Sequence, residues 1–427
     1  MVKPELSFVA TCDLVAMVKG RALPRAALLD GGTGVGWVPA DLALTAFGGI
    51  ADPNPFGALG DLRLIPDLKT EIILPPVQGG EPLSLFLATQ ANLDGTAWEC
   101  DPRNALRSAI SRFRADSEFT IMASFEHEFT LLPLDGSQLY GSPFGLDSLR
   151  AAEPFGTQLL KTLAEIGFEV ENWLPEYGAG QFEITLKPAD ALTAADRAVV
   201  LREVVRDVAR RNSLRASFAP LLSTASISNG VHIHLSLWKD GEPATYDPGR
   251  PGDLSGAAAA AFGGILKHAE SLLAWTAPSQ ISFLRLQPHR WSAGAIYIAK
   301  QDREALLRIC PIVQFGDSDP ARAFNVEYRA ADATANPWLA MASLVHAMSE
   351  GVATAESGIL VGTIDERPRP LPANLDDAIR AFKSDAVAQR WFAPNLVATH
   401  LGVREAEAIS LLNMTDDEKC EKYSNVY

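Results

Sequence analysis

Three short stretches of the chain place carboxylates and imidazoles on alternate positions: Phe125-Glu126-His127-Glu128-Phe129, Glu176-Tyr-Gly-Ala-Gly-Gln-Phe-Glu183 and Asn229-Gly230-Val-His232-Ile-His234. On a β-strand, side chains alternate between faces, so Glu126 and Glu128 point one way and His127 the other, while His232 and His234 form a second pair on one face. Apolar residues on both sides of Glu126 and Glu128 argue against a solvated face, because a buried carboxylate without a partner is costly and two neighbours raise each other's pKa. For Glu176 to Glu183, a β-hairpin turn with water-facing glutamates stands equally with a ligand role; its glycines allow close backbone approach to a ligand. Carboxylates converging on one cavity need cations, and a mostly carboxylate shell with an imidazole or two suits Mg²⁺ or Mn²⁺ better than Zn²⁺ or copper.

Arginines gather late in this acidic chain: Arg285, Arg290, Arg303, Arg308, Arg322 and Arg329, with Glu327 among them. Guanidinium forks suit phosphate and carboxylate groups, and Glu327-Tyr-Arg329 puts an acid and a base on one strand face. Arg322 and Arg290 are read more simply as surface ion-pairing residues. Of the two histidines on one face, one can hold metal while the other donates to a phosphate, and the Asn229-Gly230 turn can offer N–H groups to an anion. Carboxylates for metal and arginines for phosphate describe phosphoryl transfer from a nucleotide. Neither a G-x-x-x-x-G-K-[ST] loop nor a kinase-like glycine loop is present.

The elements that must position these groups fall into two parts. From Ser7 to about Leu93 the chain reads as short strands broken by Gly31-Gly32, Gly48-Gly49, Pro53-Asn54-Pro55 and Gly79-Gly80, with Gly60 to Asp67 patterned as a half-buried strand. A boundary near Glu99 precedes Asp101-Pro102, an N-cap followed by a first-turn proline, which divides the chain into residues 1–98 and 99–427. Beyond it, helical patterns run over Leu149 to Ile166, Thr193 to Arg211, Leu254 to Trp275 and Trp338 to Ala355. Strand patterns run over Phe119 to Leu134, Phe168 to Trp173, Gln181 to Leu186, Ala216 to Leu221, Val231 to Trp238, Ser282 to Leu286 and Val326 to Arg329. Each motif thus falls on a strand or at its end, and the irregular alternation predicts an α+β fold rather than a barrel.

Composition narrows the partners. The 427 residues, 47% of them hydrophobic, form a globular protein, and a net charge of −15 argues against nucleic acid or an anionic membrane surface. No apolar run is long enough to span a bilayer, and Cys12, Cys100, Cys310 and Cys420 lack any C-x-x-C spacing. Inert thiols and a cytoplasmic location are expected.

In order along the chain, Phe125-Glu-His-Glu-Phe129, Glu176-x-x-x-Gly180-Gln181-x-Glu183, Asn229-Gly-x-His-x-His-x-Ser-Leu-Trp238, Arg303-x-x-x-x-Arg308, Glu327-x-Arg329 and Ala335-Asn-Pro-Trp-Leu-Ala340 resemble the glutamine synthetase family. Gly60-Asp-Leu-x-Leu-x-Pro-Asp67 resembles that family's N-terminal domain. The resemblance implies an N-terminal β-grasp domain and a catalytic domain built on a curved antiparallel sheet flanked by helices. It also implies a dodecamer of two stacked hexameric rings with active sites between subunits, two or three divalent cations, and ATP. By the same resemblance, Glu128, Glu176 and Glu183 hold one metal, and Glu126, His232 and Glu327 the other. His234, Ser236 and Trp238 line the nucleotide pocket, Arg303 and Arg308 grip phosphates, Asn229, Gly230 and Arg285 bind the acid substrate, and Arg329 completes both sets. The implied chemistry is phosphorylation of a γ-carboxylate followed by displacement of phosphate by an amine.

Departures from the family pattern point to the substrate. Ammonia-using members carry a Gly-Tyr-Glu-Ala-Pro flap after the substrate arginine; here the chain reads Arg285-Leu-Gln-Pro-His-Arg-Trp291-Ser-Ala-Gly. An aromatic side chain cannot bind ammonium as a carboxylate does, but it can wall an apolar pocket for a carbon-bearing amine. Asn325 stands where an arginine is expected, Ser228-Asn229-Gly230 lacks a first glycine, and Asp30 occupies the region of the ammonium-loop aspartate. The expected activity is an ATP- and Mg²⁺-dependent ligase joining glutamate, or a close analogue, to an organic amine. A true glutamine synthetase and a silent ligand-sensing paralogue are the alternatives within the fold. A metal-dependent hydrolase fits less well, as only seven histidines are present.

Overall fold

The computed structural model describes residues 4–76, 80–313, 315–316, 319–354 and 369–427. The strands of the first part are β1 (Leu6–Cys12), β2 (Val18–Pro24), β3 (Val35–Trp37), β4 (Leu62–Pro66), β5 (Ile72–Leu74) and β6 (Leu83–Ala91). They form one sheet in the order β2-β1-β6-β4-β3, with β5 also on β6. β1 and β6 run parallel at its centre, and the helix Arg25–Gly31 and short 3₁₀ turns fill in around it. Gly79 of the expected Gly79-Gly80 break, and Ala355 at the end of the last expected helix, lie outside the described residues.

The second sheet holds β7 (Thr120–Pro133), β8 (Val170–Pro175), β9 (Gln181–Leu186), β10 (Ala189–Asp190), β11 (Leu214–Ser217), β12 (Val231–Lys239), β13 (Glu242–Pro243), β14 (Ala295–Lys300), β15 (Ala305–Ile309), β16 (Val326–Tyr328) and β17 (Arg369–Pro370). Its main order is β17-β14-β15-β16-β12-β7-β9-β8. All neighbours are antiparallel except β14 and β15, which are parallel. The long central strand β7 sets the two faces. Phe125, His127 and Phe129 turn to the back, where the helix Ala191–Arg211 packs on β7, and Glu126 and Glu128 turn to the front, as period-2 alternation requires.

Helix boundaries follow their capping residues. Asp101 accepts from the Asn104 amide with Pro102 in the first turn, and Asn336 does the same for Leu339 ahead of Pro337. The helix Pro337–Ala353 lies in the core against Pro102–Ser117 and Gly256–Lys267. Gly264 and Gly351 let two of these backbones touch: a Cβ on Gly264 would come 2.0 Å from the Ala347 carbonyl. Buried arginines join the two parts. Arg103 bridges Asp67 (3.1 Å) and Asp196 (2.7 Å), and Arg202 donates to the carbonyls of Ala16 and Ala333.

Several expected elements are different. Ser282 to Leu286 is not a strand but one helical turn, Ser282–Arg285, at whose start Ser279 and Ser282 exchange backbone-to-hydroxyl hydrogen bonds that bend the chain out of an extended course. Leu149 to Ile166 divides into Leu146–Ala151 and Phe155–Glu165 around Pro154, which has no N–H to donate. Leu254 to Trp275 divides at His268, whose Nδ1 lies 2.6 Å from Asp385. The strand expected over Ala216 to Leu221 instead begins earlier and ends at Ser217, as β11. Among the described residues no helix is long and apolar enough to cross a membrane.

Candidate active site

The register of the second sheet builds the site as one row of side chains. Glu183 on β9 stands opposite Glu128 on β7, Glu126 opposite His232 on β12, His234 opposite Glu327 on β16, and Glu327 opposite Arg308 on β15. All point to the front face. Glu176 joins from the residue just after β8, its amide bonded back to the Gln181 carbonyl at 2.8 Å.

Two donor groups result. Glu128, Glu176 and Glu183 bring one oxygen each to within 4.8 Å of one another, and so do Glu126, His234 and Glu327 with their oxygens and ring nitrogen. His232 is woven into the second group: its Nδ1 is 2.8 Å from Glu126 and 3.3 Å from Glu327. Both imidazoles expected on this face are therefore present, and it is His234 that completes the tighter triad.

The charge balance of the two groups is opposite. Burial, then the neighbouring Glu126, Glu128 and Glu176, pushes the Glu183 carboxyl up to about 10. Burial and Glu128 push Glu176 up to about 7. For Glu126 burial works the same way, but His232 and His234 outweigh it and hold the carboxylate well below its usual range. Burial opposes ionisation of Glu327 too, and His232, Arg329 and His234 override it. The all-carboxylate group thus lacks positive charge, which a divalent cation would supply, and hard oxygens with one imidazole suit Mg²⁺ or Mn²⁺. His127 faces away, buried among Phe125 and Phe218, and burial drives its imidazole down to about 3.

Not every predicted residue lies on a strand. Arg285 sits on the helical turn, 1% exposed, with its two Nη groups donating to the carbonyls of Ala330 (3.1 Å) and Arg329 (3.0 Å). Gly230 makes room for it, since a Cβ there would meet Arg285 Nη2 at 2.3 Å, and the Gly230 amide donates to Glu128. The Asn229 side chain is turned inward: Nδ2 donates to the Ala219 carbonyl at 3.0 Å and Oδ1 accepts from Gln181 at 3.0 Å, so this side chain is committed to the turn.

Arg329 is a hub. It pairs with Glu327, donates Nε to the Arg303 carbonyl at 2.8 Å and Nη2 to the Trp291 carbonyl at 3.0 Å. Arg308 donates to the other Glu327 oxygen at 2.8 Å. Arg303 lies in the exposed turn before β15, close enough to Glu176 to act on its charge. Trp291 is held by its backbone, with a positive φ of 56° and a side chain 73% exposed. Ser236 accepts from the Trp238 indole at 3.0 Å, and Arg322 lies over that ring at 5.4 Å while pairing with Glu242, as a surface arginine should. Arg290 instead donates to the Thr224 carbonyl. Asp30 lies on the helix Arg25–Gly31 beside the first sheet.

Sequence reasoning gave no role to two residues that lie in the site. Asn325 accepts from His234 Nδ1 at 2.8 Å and fixes that ring. Cys310 Sγ lies 3.7 Å from the same nitrogen and 3.8 Å from Glu327, and it alone of the four cysteines is not fully buried. The signal was its place two residues after Arg308, on the same face of the same strand course.

Among the described residues, an eleven-stranded sheet presents paired acid and imidazole groups that could hold divalent cations, beside arginines, and the comparisons with known proteins make the enzyme an ATP-dependent carbon–nitrogen ligase. The catalytic-domain model of glutamine synthetase matches residues 99–423 and the glutamine synthetase N-terminal-domain model residues 3–98, so the chain belongs to the glutamine synthetase family. It is 31% identical over 435 residues to a gamma-glutamylpolyamine synthetase of Streptomyces coelicolor, covering 97% of this chain and 92% of that protein. It is also 31% identical over 373 residues to the glutamine synthetase of Thermus thermophilus, covering 81% of each. Among solved structures, a glutamine synthase homolog matches with a TM-score of 0.92 at 39% identity over 100% of both chains. Ligand-free GmaS matches with 0.82 at 26%, over 97% of this chain and 95% of that one.

Proposed function

We propose that this enzyme joins the γ-carboxylate of glutamate, or a close analogue, to an organic amine, through a γ-glutamyl phosphate. The observation that carries the reading is the flap, where Trp291 stands in place of an acid and no carboxylate is offered to an ammonium ion at that position. The relation to a gamma-glutamylpolyamine synthetase supports it.

In this reading residues 1–98 and 99–427 are the two domains. Glu128, Glu176 and Glu183 hold one Mg²⁺ or Mn²⁺, and Glu126, Glu327 and an imidazole, His232 or His234, hold the second. The cations supply charge that polarises phosphoryl oxygens and offsets the carboxylates. Arg303 and Arg308 face the phosphates, His234, Ser236 and Trp238 line the nucleotide site, and Asn229, Gly230, Arg285 and Arg329 shape the acid site. The γ-carboxylate attacks the terminal phosphorus of ATP and ADP leaves. The amine then attacks the acyl carbon, phosphate departs, and arginine charge stabilises the oxygens in both steps. The functional unit is a cytoplasmic ring assembly, two stacked hexamers, with sites between subunits.

Purified protein with ATP, Mg²⁺ and glutamate tests this against a panel of alkyl, polyamine and aromatic amines. Phosphate release is expected to be faster with one of them than with ammonia. Fastest release with ammonia would instead favour a glutamine synthetase that tolerates Trp291, a reading supported by the many relatives named glutamine synthetase.

A further inference from the structure

We propose that Glu304 is a positioning residue for the amine: it seats the flap so that Trp291 walls the amine site. The inference rests on the organic-amine reading above and names a residue that acts through Trp291. The flap runs from Leu286 to Gly294, between the helical turn Ser282–Arg285 and β14, and forms neither helix nor strand. Two of its bulky residues take the left-handed region, His289 with φ 65° and Trp291 with φ 56°. L side chains rarely adopt that conformation, and it persists only where the surroundings dictate it. The Trp291 side chain is 73% exposed, so little packing fixes its direction and the backbone must.

Three hydrogen bonds fix the backbone around Trp291, and Glu304 accepts two of them. Its Oε1 takes the His289 amide at 3.0 Å and its carbonyl takes the Gly294 amide at 2.8 Å, one on either side of Trp291. Between them, Arg329 Nη2 donates to the Trp291 carbonyl at 3.0 Å. The two holders are themselves joined, because Arg329 Nε donates to the carbonyl of Arg303, the residue before Glu304. Glu304 is braced in turn: its amide donates to Asp302 Oδ1 at 2.9 Å, and Asp302 Oδ2 accepts from the Tyr297 hydroxyl on β14 at 2.8 Å. The side chains of Arg290 and Ser292 add bonds to the carbonyls of Thr224 (3.1 Å) and Arg285 (2.7 Å). The His289 ring, 93% exposed and 3.9 Å from the same Glu304 oxygen, adds little. Loss of the Glu304 carboxylate frees the His289 amide, lets the strained φ values relax and carries the indole away from the Arg329 corner.

The test measures KM for ATP, for glutamate and for the fastest amine of the panel above, on the intact enzyme and its variants with Mg²⁺. Glu304→Ala is expected to raise the amine KM by about tenfold, the scale of one lost hydrogen bond to a charged group, and to leave KM for ATP and glutamate little changed. Glu304→Gln keeps an acceptor oxygen for the His289 amide and should stay close to wild type. Asp302→Ala, which loosens Glu304 at its own amide, should give a smaller rise of the same kind. In a Trp291→Ala background, Glu304→Ala should raise the amine KM no further, since a residue that acts through the indole has nothing left to position. An amine KM unmoved by Glu304→Ala, equal rises for all three substrates, or the same rise on top of Trp291→Ala overturns this inference and leaves the organic-amine reading standing. Fastest turnover of the wild type with ammonia overturns that reading itself.

Discussion

Glu183 of β9 faces Glu128 of β7 as a direct cross-strand pair, and Glu176 closes the triangle with an oxygen within 4.8 Å of theirs. Three carboxylates in one buried corner are a destabilising arrangement that a cation would reverse. Glu183→Gln is therefore expected to raise the melting temperature of the metal-free protein by several degrees and to abolish most of the further rise that Mg²⁺ or Mn²⁺ gives the wild type. The sign with pH follows from a folded-state carboxyl pushed up to about 10. Its stability contribution is lost as pH rises from the unfolded value toward that figure, so the metal-free variant's advantage should grow between about pH 5 and pH 9. Thermal melts with and without metal check this; a variant less stable than wild type throughout contradicts it.

A buried imidazole acts in the other direction. His400 is buried against Trp275, ring centroids 4.0 Å apart, and donates Nε2–H to the Ala274 carbonyl at 2.8 Å. Burial and Arg404 drive it down to about 3. A histidine held neutral in the fold but free to protonate when unfolded costs stability as pH falls below its unfolded value of about 6.5, at about 1.4 kcal/mol per pH unit. Chemical denaturation of wild type and His400→Gln from pH 7 to pH 5 should show the wild type losing stability more steeply. Parallel curves contradict the assignment.

Arg329 connects Glu327 to the backbones of Arg303 and Trp291, one guanidinium tying the acidic corner to both flanking loops. Lysine keeps the charge but not the planar fork. Arg329→Lys is expected to lower kcat by about a hundredfold, the cost of small misplacements at a reacting centre, with the melting temperature changed much less. It should also make the Gln287 to Arg303 segment more open to limited proteolysis. Protease resistance equal to wild type would argue that the flap is held by something else.

Asn325 fixes the His234 ring through Nδ1. Partners of this kind are worth about 10 to 100-fold in metal affinity or activity. Asn325→Ala should weaken Mn²⁺ or nucleotide binding by that order in calorimetry, and Asn325→Asp should restore most of it by offering the same acceptor. Unchanged affinity in the alanine variant would remove Asn325 from the site.

The shared face of the acidic corner was legible because period-2 alternation on β7, β9 and β12 is a local property: Glu126, Glu128, Glu183, His232 and His234 all land on the face their spacing predicts. What escaped depends on distant partners. β14 and β15 pair in parallel with each other, a contact no hairpin turn announces. The break at His268 is marked by Asp385, more than a hundred residues away. The carbonyls of Arg329 and Ala330 that hold Arg285, expected from the sequence to bind the acid substrate, come from more than forty residues away. Cys310 and Asn325 gained meaning only when β15 and β16 brought them against His234.

The central claim, an acyl phosphate of glutamate captured by an organic amine, is tested most directly with glutamate carrying ¹⁸O in its γ-carboxylate, supplied with ATP, Mg²⁺ and hexylamine. The account predicts one ¹⁸O in each phosphate released and an equal amount of γ-glutamyl hexylamide by mass spectrometry. Unlabelled phosphate, or label transferred with ammonia and with no amine tested, would contradict it.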